Sequence, residues 1–171
     1  MQITIKKATF EDVEELSKFL QRTYLAVYQD FLSKEYMSRA IEVNYTANQL
    51  KKAIIRGNDS DNFWIGYYLA VIKNKIVGVI GGGMTDELSG IYVLYVDENY
   101  NRLGIATQLV DFLTQKQKTL GAKKQYVKTL QDNLKGNQFC KKTGFKFRDT
   151  RLSAFNKENE NFMINYYERE I

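Results

Sequence analysis

The residues of this chain best suited to chemistry lie in one stretch, Ile91-Tyr-Val-Leu-Tyr-Val-Asp-Glu-Asn-Tyr-Asn-Arg-Leu-Gly-Ile-Ala-Thr-Gln-Leu-Val110. Ile91 to Val96 is a strongly strand-forming run. A short polar loop follows, then a helix with Leu103, Ala106, Leu109, Val110 and Leu113 on one face. A helix start leaves several backbone N–H groups unpaired and carries partial positive charge. Gly104 and Ala106 are small enough to let an anion reach that backbone, and Arg102 adds a full positive charge beside it. The chemistry is that of a phosphate or pyrophosphate site. The same small residues also suit tight packing of a helix on a sheet, and the residues alone leave both readings open. Neither a G-x-G-x-x-G nor a P-loop pattern is present.

What is missing narrows the chemistry further. The 171 residues include no His, no Pro and a single Cys, Cys140. Ser-His-Asp and Cys-His nucleophiles, His-ligated metals, multi-thiolate zinc and internal disulfides are thereby excluded, so no metal is expected. Net charge is +5, from 25 basic and 20 acidic residues. The basic residues are dispersed. Their densest run, Lys116 to Lys128, reads as a solvated helix face followed by a strand. No nucleic-acid motif accompanies it, so no nucleic-acid partner is expected. The start, MQITIKKATF, lacks the pattern of a signal peptide, and no apolar run is long enough to span a membrane. The expected setting is the cytoplasm, without membrane attachment.

These residues need elements to position them. Ile3 and Ile5 mark a short strand. Thr9 to Asp12 opens a first helix running to about Tyr24, Ser33 to Val43 forms a second, and Thr46 caps a third that Arg56 to Asp61 ends. Phe63 to Ile72 and Ile76 to Gly83 form a hairpin across Lys73 to Lys75, and Thr85 to Gly90 reads as a polar loop. After the Ile91 strand and its helix, which ends at Leu120 before Gly121, come a strand at Gln125 to Leu130 and a short helix at Asn133 to Lys142. Phe145 to Arg148 and Phe162 to Tyr167 read as final strands. The expected fold is mixed α/β (α+β). It is a mostly antiparallel sheet with a central parallel strand–helix–strand unit and helices on both faces, in one domain over residues 1–171.

On these residues the chain resembles the GNAT N-acetyltransferase superfamily. That family's acyl-CoA loop, Gln/Arg-x-x-Gly-x-Gly/Ala after a strand, is matched by Asn101-Arg-Leu-Gly104-Ile-Ala106 after Leu94-Tyr-Val96. A second signature is matched by Asn133-Leu-Lys-Gly136-Asn-Gln-Phe139-Cys140-Lys-Lys-Thr-Gly144-Phe145. The early helices and the late Phe-rich strand resemble the polyamine-acetylating branch. The resemblance implies acetyl-CoA as cosubstrate. The pyrophosphate would be held at Asn101, Arg102, Leu103, Gly104, Ile105 and Ala106, the pantetheine arm along Leu94 and Val96, with Asn133 and Phe139 beside it. It implies direct attack of a primary amine on the thioester, with positioning and oxyanion stabilisation supplying most of the rate. The acceptor, a small amine such as a polyamine, would meet Tyr28, Asp30 and Tyr36.

The departures from the pattern bear on catalysis. Asn101 stands where the family has Gln or Arg. Cys140 stands where many relatives carry the Tyr that protonates the departing thiolate. Cys140 is therefore either that acid or a small buried helix residue. Tyr92, near the place of a strand Glu in some relatives, is a candidate for proton relay, as is Tyr95; both also suit a purely structural role. A non-catalytic acyl-CoA-binding regulatory domain is the alternative function. A homodimer is the commonest symmetric assembly, but no sequence feature specifies an interface.

Overall fold

The computed structural model describes residues 2–59 and 63–171. Among them, seven strands form one sheet: β1 (Thr4–Lys7), β2 (Trp64–Ile72), β3 (Lys75–Thr85), β4 (Leu88–Val96), β5 (Lys124–Leu130), β6 (Lys146–Leu152) and β7 (Met163–Glu170). Their order is β1-β2-β3-β4-β5-β7-β6. Every neighbouring pair is antiparallel except β4 and β5. Helices α1 (Val13–Tyr28), α2 (Lys34–Asn44) and α3 (Ala47–Arg56) cover one face, and α4 (Ile105–Thr119) and α5 (Leu134–Lys142) the other. This is the mixed, mostly antiparallel sheet that the element order implies.

Both faces of the central strands are covered, which is why β2 and β3 are nearly continuously apolar. Tyr67, Leu69, Val79 and Val93 pack under α1, α2 and α3. Tyr68, Ala70, Val77, Ile80 and Ile91 pack under α4. The predicted cap at Thr46 forms, its hydroxyl accepting from Gln49 N–H at 3.4 Å, and the Ser33 hydroxyl caps α2 in the same way, accepting from Tyr36 N–H at 3.1 Å. The expected stop after α3 begins at Gly57; its end, Ser60 and Asp61, lies outside the described residues. No helix among the described residues is long and apolar enough to cross a membrane.

Several expectations need correcting. The last two strands run on, β6 to Leu152 rather than Arg148 and β7 to Glu170 rather than Tyr167. The first helix continues four residues past Tyr24, to Tyr28. Its apolar periodicity lapses because Ala26 and Val27 face a cleft, while Tyr28 both lines that cleft and packs against the core. The stretch from Thr85 to Gly90 is not a polar loop. It is a tight turn at Asp86 and Glu87, after which β4 begins at Leu88. Ser89, polar in sequence, is buried there because its hydroxyl donates to Lys124 O at 2.8 Å.

The feature that positions the site is a break in the sheet. Gly81 faces Val93 and Gly82 faces Ile91, so Tyr92 is an extra residue in β4, a bulge that bends the strand. The parallel ladder between β4 and β5 runs only from Leu88–Lys124 to Ile91–Val127. Beyond it the strands part. A buried amide network on the α4 face holds this arrangement. Gln117 Nε2 donates to Gly83 O at 3.1 Å and Gly90 O at 3.0 Å, tying together the β3–β4 pair just on the turn side of the bulge. Gln125 Nε2 donates to Gln117 Oε1 at 2.7 Å, and Arg169 Nε donates to Gln125 Oε1 at 2.9 Å.

Candidate functional site

Where β4 and β5 separate, two cavities meet. A cleft of about 990 Å³ is bounded by α1, the end of β4, the loop after it and the start of α5. A smaller cavity of about 110 Å³ lies between the parting strands, with Phe139 and Cys140 in its wall. Tyr28, Leu94, Tyr95, Asn133 and Gly136 border both.

The loop from Asp97 to Ala106 is built from the inside. Asp97 is buried, and its Oδ1 accepts from the backbone and side-chain N–H groups of Asn99 at 3.0 and 2.9 Å. Its Oδ2 takes Arg22 of α1 at 2.9 Å, with Lys75 at 4.0 Å. Burial opposes ionisation there, but the Asn99 hydrogen bonds and the two cations bring the carboxyl below its ordinary pKa. Arg102 at φ +66° and Gly104 at φ +73° then turn the chain through two left-handed residues into α4. A Cβ at Gly104 would find open space, so glycine is required by backbone conformation rather than by room. No side chain caps α4, whose first rung is Gln108 N–H to Gly104 O at 3.0 Å. The N–H groups ahead of that rung lack intrahelical partners. Ile105 anchors the turn in the core while Asn101, Arg102, Leu103 and Gly104 remain exposed. Chemically this is a concave set of donors suited to an anion.

The start of α5 forms the opposite wall. Asn133 caps it, its Oδ1 accepting from Gly136 N–H at 3.0 Å. A Cβ on Gly136 would stand 2.7 Å from both Asn133 Nδ2 and Thr129 Oγ1, so only glycine lets the Asn133 amide fold over the helix start. Asn137, which the sequence reading did not single out, fastens α5 to the sheet. Its Nδ2 donates to Leu130 O at 3.1 Å and Asn133 O at 2.8 Å, and its Oδ1 accepts from Tyr167 Oη at 2.7 Å. Cys140 is 4% exposed and borders the small cavity; burial pushes its thiol up to about 11.

The predicted acceptor residues separate. Tyr28 and Asp30 border the large cleft. Tyr36 is buried away from it, between Phe155 and Phe162, with its hydroxyl 2.7 Å from Ser153 Oγ. Tyr92 borders the small cavity but is 47% exposed, its ring stacked near Trp64 at 6.2 Å and tilted against Tyr126 at 6.0 Å. Tyr95 is turned into the α1–α3 core. Its ring lies 6.4 Å from Tyr45 and 6.5 Å from Tyr28. Tyr24 completes this ring cluster, 4.9 Å from Tyr28, 5.5 Å from Tyr45 and 6.4 Å from Tyr95. Leu94 and Val96 lie on the part of β4 beyond its ladder with β5, bordering the cleft. Arg22, also on that wall, was not anticipated: its partner lies 75 residues away, and no local pattern marks it.

Comparison with known proteins places this geometry among others. A match to the acetyltransferase (GNAT) family covers residues 19–145. A spermidine N(1)-acetyltransferase of Thermoplasma acidophilum is 26% identical over 161 residues, 94% of this chain and 98% of that protein. The structure of a PaiA N-acetyltransferase from the same organism, solved in complex with coenzyme A, superposes with a TM-score of 0.83. It shows 22% identity with full coverage of both chains. A GCN5-related N-acetyltransferase from Rhodopseudomonas palustris superposes with a TM-score of 0.78 at 16% identity, covering 100% of this chain and 97% of that one.

Proposed function

The chain belongs to the acetyltransferase (GNAT) family, and from that premise we propose that it moves the acetyl group of acetyl-CoA to a primary amine of a small molecule, a polyamine or a similar cation. The observation that carries the reading is the opening of the sheet after Ile91–Val127 beside the uncapped start of α4. An extended arm with an anionic tail fits these two features together. The pyrophosphate would take the N–H groups of Arg102 to Ala106, with the Arg102 side chain beside it. The arm would pair with the freed edge of β4 at Leu94 and Val96, as a strand added to an open sheet edge. Asn133 and Phe139 would flank it from α5, and the acyl end would enter the small cavity.

An acceptor amine would come through the large cleft, where Asp30 offers a carboxylate and Tyr28 an aromatic face to a cation. A relative that is a spermidine N(1)-acetyltransferase supports the polyamine class. The neutral amine attacks the thioester directly, so no protein nucleophile is needed, in keeping with a chain without His.

The deciding experiment measures CoA thiol release from acetyl-CoA with spermidine, spermine, diamines, amino acids, aminoglycosides and short peptides. Turnover with the polyamines and not with the peptides is expected. Binding of acetyl-CoA without turnover on any amine would transfer the chain to a regulatory role.

A further inference from the structure

A departing thiolate needs a proton, and the small cavity brings five hydroxyl or thiol side chains to its wall: Tyr28, Tyr92, Tyr95, Thr129 and Cys140. Four of them are poorly placed to give one. Cys140 is 4% exposed, belongs to the buried cluster with Phe145 and Tyr167, and borders only the small cavity, not the large cleft. Thr129 is an alcohol, too weak an acid to protonate a thiolate. Tyr92 lies over Gly83 and Gly90 toward Trp64 and Tyr126, and it does not border the large cleft. Tyr95 borders both cavities, but its ring is turned into the α1–α3 core against Tyr24 and Tyr45.

Tyr28 is a phenol that stands where the two cavities join. It comes from α1 on one face of the sheet yet shares both cavities with Asn133 and Gly136 at the start of α5 on the other. Two groups able to donate to a phenolate border the same cavities. One is the Tyr95 phenol, whose ring stands 6.5 Å from that of Tyr28. The other is the Asn133 amide, whose Oδ1 is committed to Gly136 N–H, which leaves Nδ2 as its donor.

We propose that Tyr28, and not Cys140, is the acid that returns a proton to the leaving thiolate, with Tyr95 and Asn133 as the residues that position it. This rests on the acetyl-transfer reading above. As the amine nitrogen bonds to the thioester carbonyl carbon, the carbon–sulfur bond breaks and its electron pair leaves on sulfur. The Tyr28 hydroxyl proton passes to that sulfur, giving the CoA thiol. The surplus proton on the acetylated nitrogen returns through water to the Tyr28 oxygen. One neutral amine and one thioester become one amide and one thiol, and Tyr28 is restored. Burial raises the Tyr28 pKa, although the Tyr95 and Asn133 hydrogen bonds work against that rise, so the phenol is protonated at neutral pH and available as a donor.

The test compares Tyr28→Phe with Cys140→Ala in the full chain, with acetyl-CoA affinity measured by calorimetry alongside kcat. Tyr28→Phe is expected to lower kcat about a hundredfold, with the affinity for acetyl-CoA within a few-fold of the parent. Cys140→Ala is expected to keep most of kcat. A fluorinated tyrosine placed at position 28 alone, a more acidic phenol of almost the same shape, should keep neutral-pH activity and move the alkaline fall of kcat to lower pH. A Tyr28→Phe chain within a few-fold of the parent, or a fluorotyrosine profile that does not move, overturns the assignment while leaving acetyl transfer intact. A parent chain that binds acetyl-CoA and acetylates no amine overturns both together.

Discussion

Tyr28, the last residue of α1, and Asn133, the cap of α5, line the same two cavities, although the two helices lie on opposite faces of the sheet. Only the parting of β4 from β5 after four paired residues allows that. The expected properties of the site follow from how this opening is lined.

At Gly104, conformation and charge can be separated. Asn tolerates the left-handed backbone better than most residues and Asp is nearly its isostere. Gly104→Asn is expected to weaken acetyl-CoA binding only modestly. Gly104→Asp places a negative charge where the anion sits and should weaken it at least a further tenfold, about 1.4 kcal/mol. Calorimetry at low and high salt checks this, and the difference between the two variants should shrink as salt rises. Equal affinities for both variants would show that the anion binds elsewhere.

Gly136→Ala should go against helix propensity. In an open helix the change would stabilise by about 1 kcal/mol. Here the new methyl meets Asn133 Nδ2 and Thr129 Oγ1 at 2.7 Å. Displacement of Asn133 is expected to lower both Tm and acetyl-CoA affinity. A raised Tm with unchanged affinity would mean that Asn133 has no part in the site.

Cys140 gives a prediction in alkali. Its thiol rises from an ordinary 9.0 to about 11 in the folded chain. Below pH 9 both folded and unfolded thiols are neutral. As pH rises from 9 through 11 the unfolded thiol ionises first, so stability present at neutral pH is lost, by up to about 3 kcal/mol. Cys140→Ala lacks this titration. The variant starts below the parent because it leaves a small cavity, and the gap between them should close as pH passes 9. Denaturant midpoints at pH 7, 9 and 10.5 measure it, and a constant gap would contradict the burial argument.

Asp30 and Tyr36 should divide in function. Asp30→Asn is expected to raise KM for a diamine about fivefold, from the loss of one partly solvated charge pair, with kcat little changed. Tyr36→Phe removes the Ser153 hydrogen bond and should cost about 1 kcal/mol of stability, without moving KM. Steady-state kinetics with thermal melts on both variants tests the division. A KM effect at Tyr36 would return it to the acceptor site.

What could be read in the sequence was local. The strand, loop and helix from Ile91 to Thr119 announce themselves because strand preference, a glycine at the helix start and a helical apolar face fall within thirty residues. The cap at Thr46 is legible for the same reason. What could not be read depends on distant residues meeting. Ser89 looked like a loop residue because its partner, Lys124 O, lies 35 positions on. Tyr36 looked like a cleft residue because nothing nearby shows Ser153, Phe155 and Phe162 closing over it. The Gln117, Gln125 and Arg169 network is three ordinary polar residues until the fold brings them together.

The short parallel ladder also makes the sheet a structure of two slabs with a seam. β1 to β4 carry α1 and α3, while β5, β7 and β6 carry α5. Across the seam the strands share four paired positions, with the Gln117–Gln125 amide pair and the contacts of Tyr36 of α2 with Ser153, Phe155 and Phe162 as bolts. Such slabs can open as separate cooperative units, each with its own protection against hydrogen exchange. A ligand lying along the seam would act as mortar between them. Its stabilising effect would appear first as slowed exchange in β5 and α5, the thinner slab, well away from the atoms it touches.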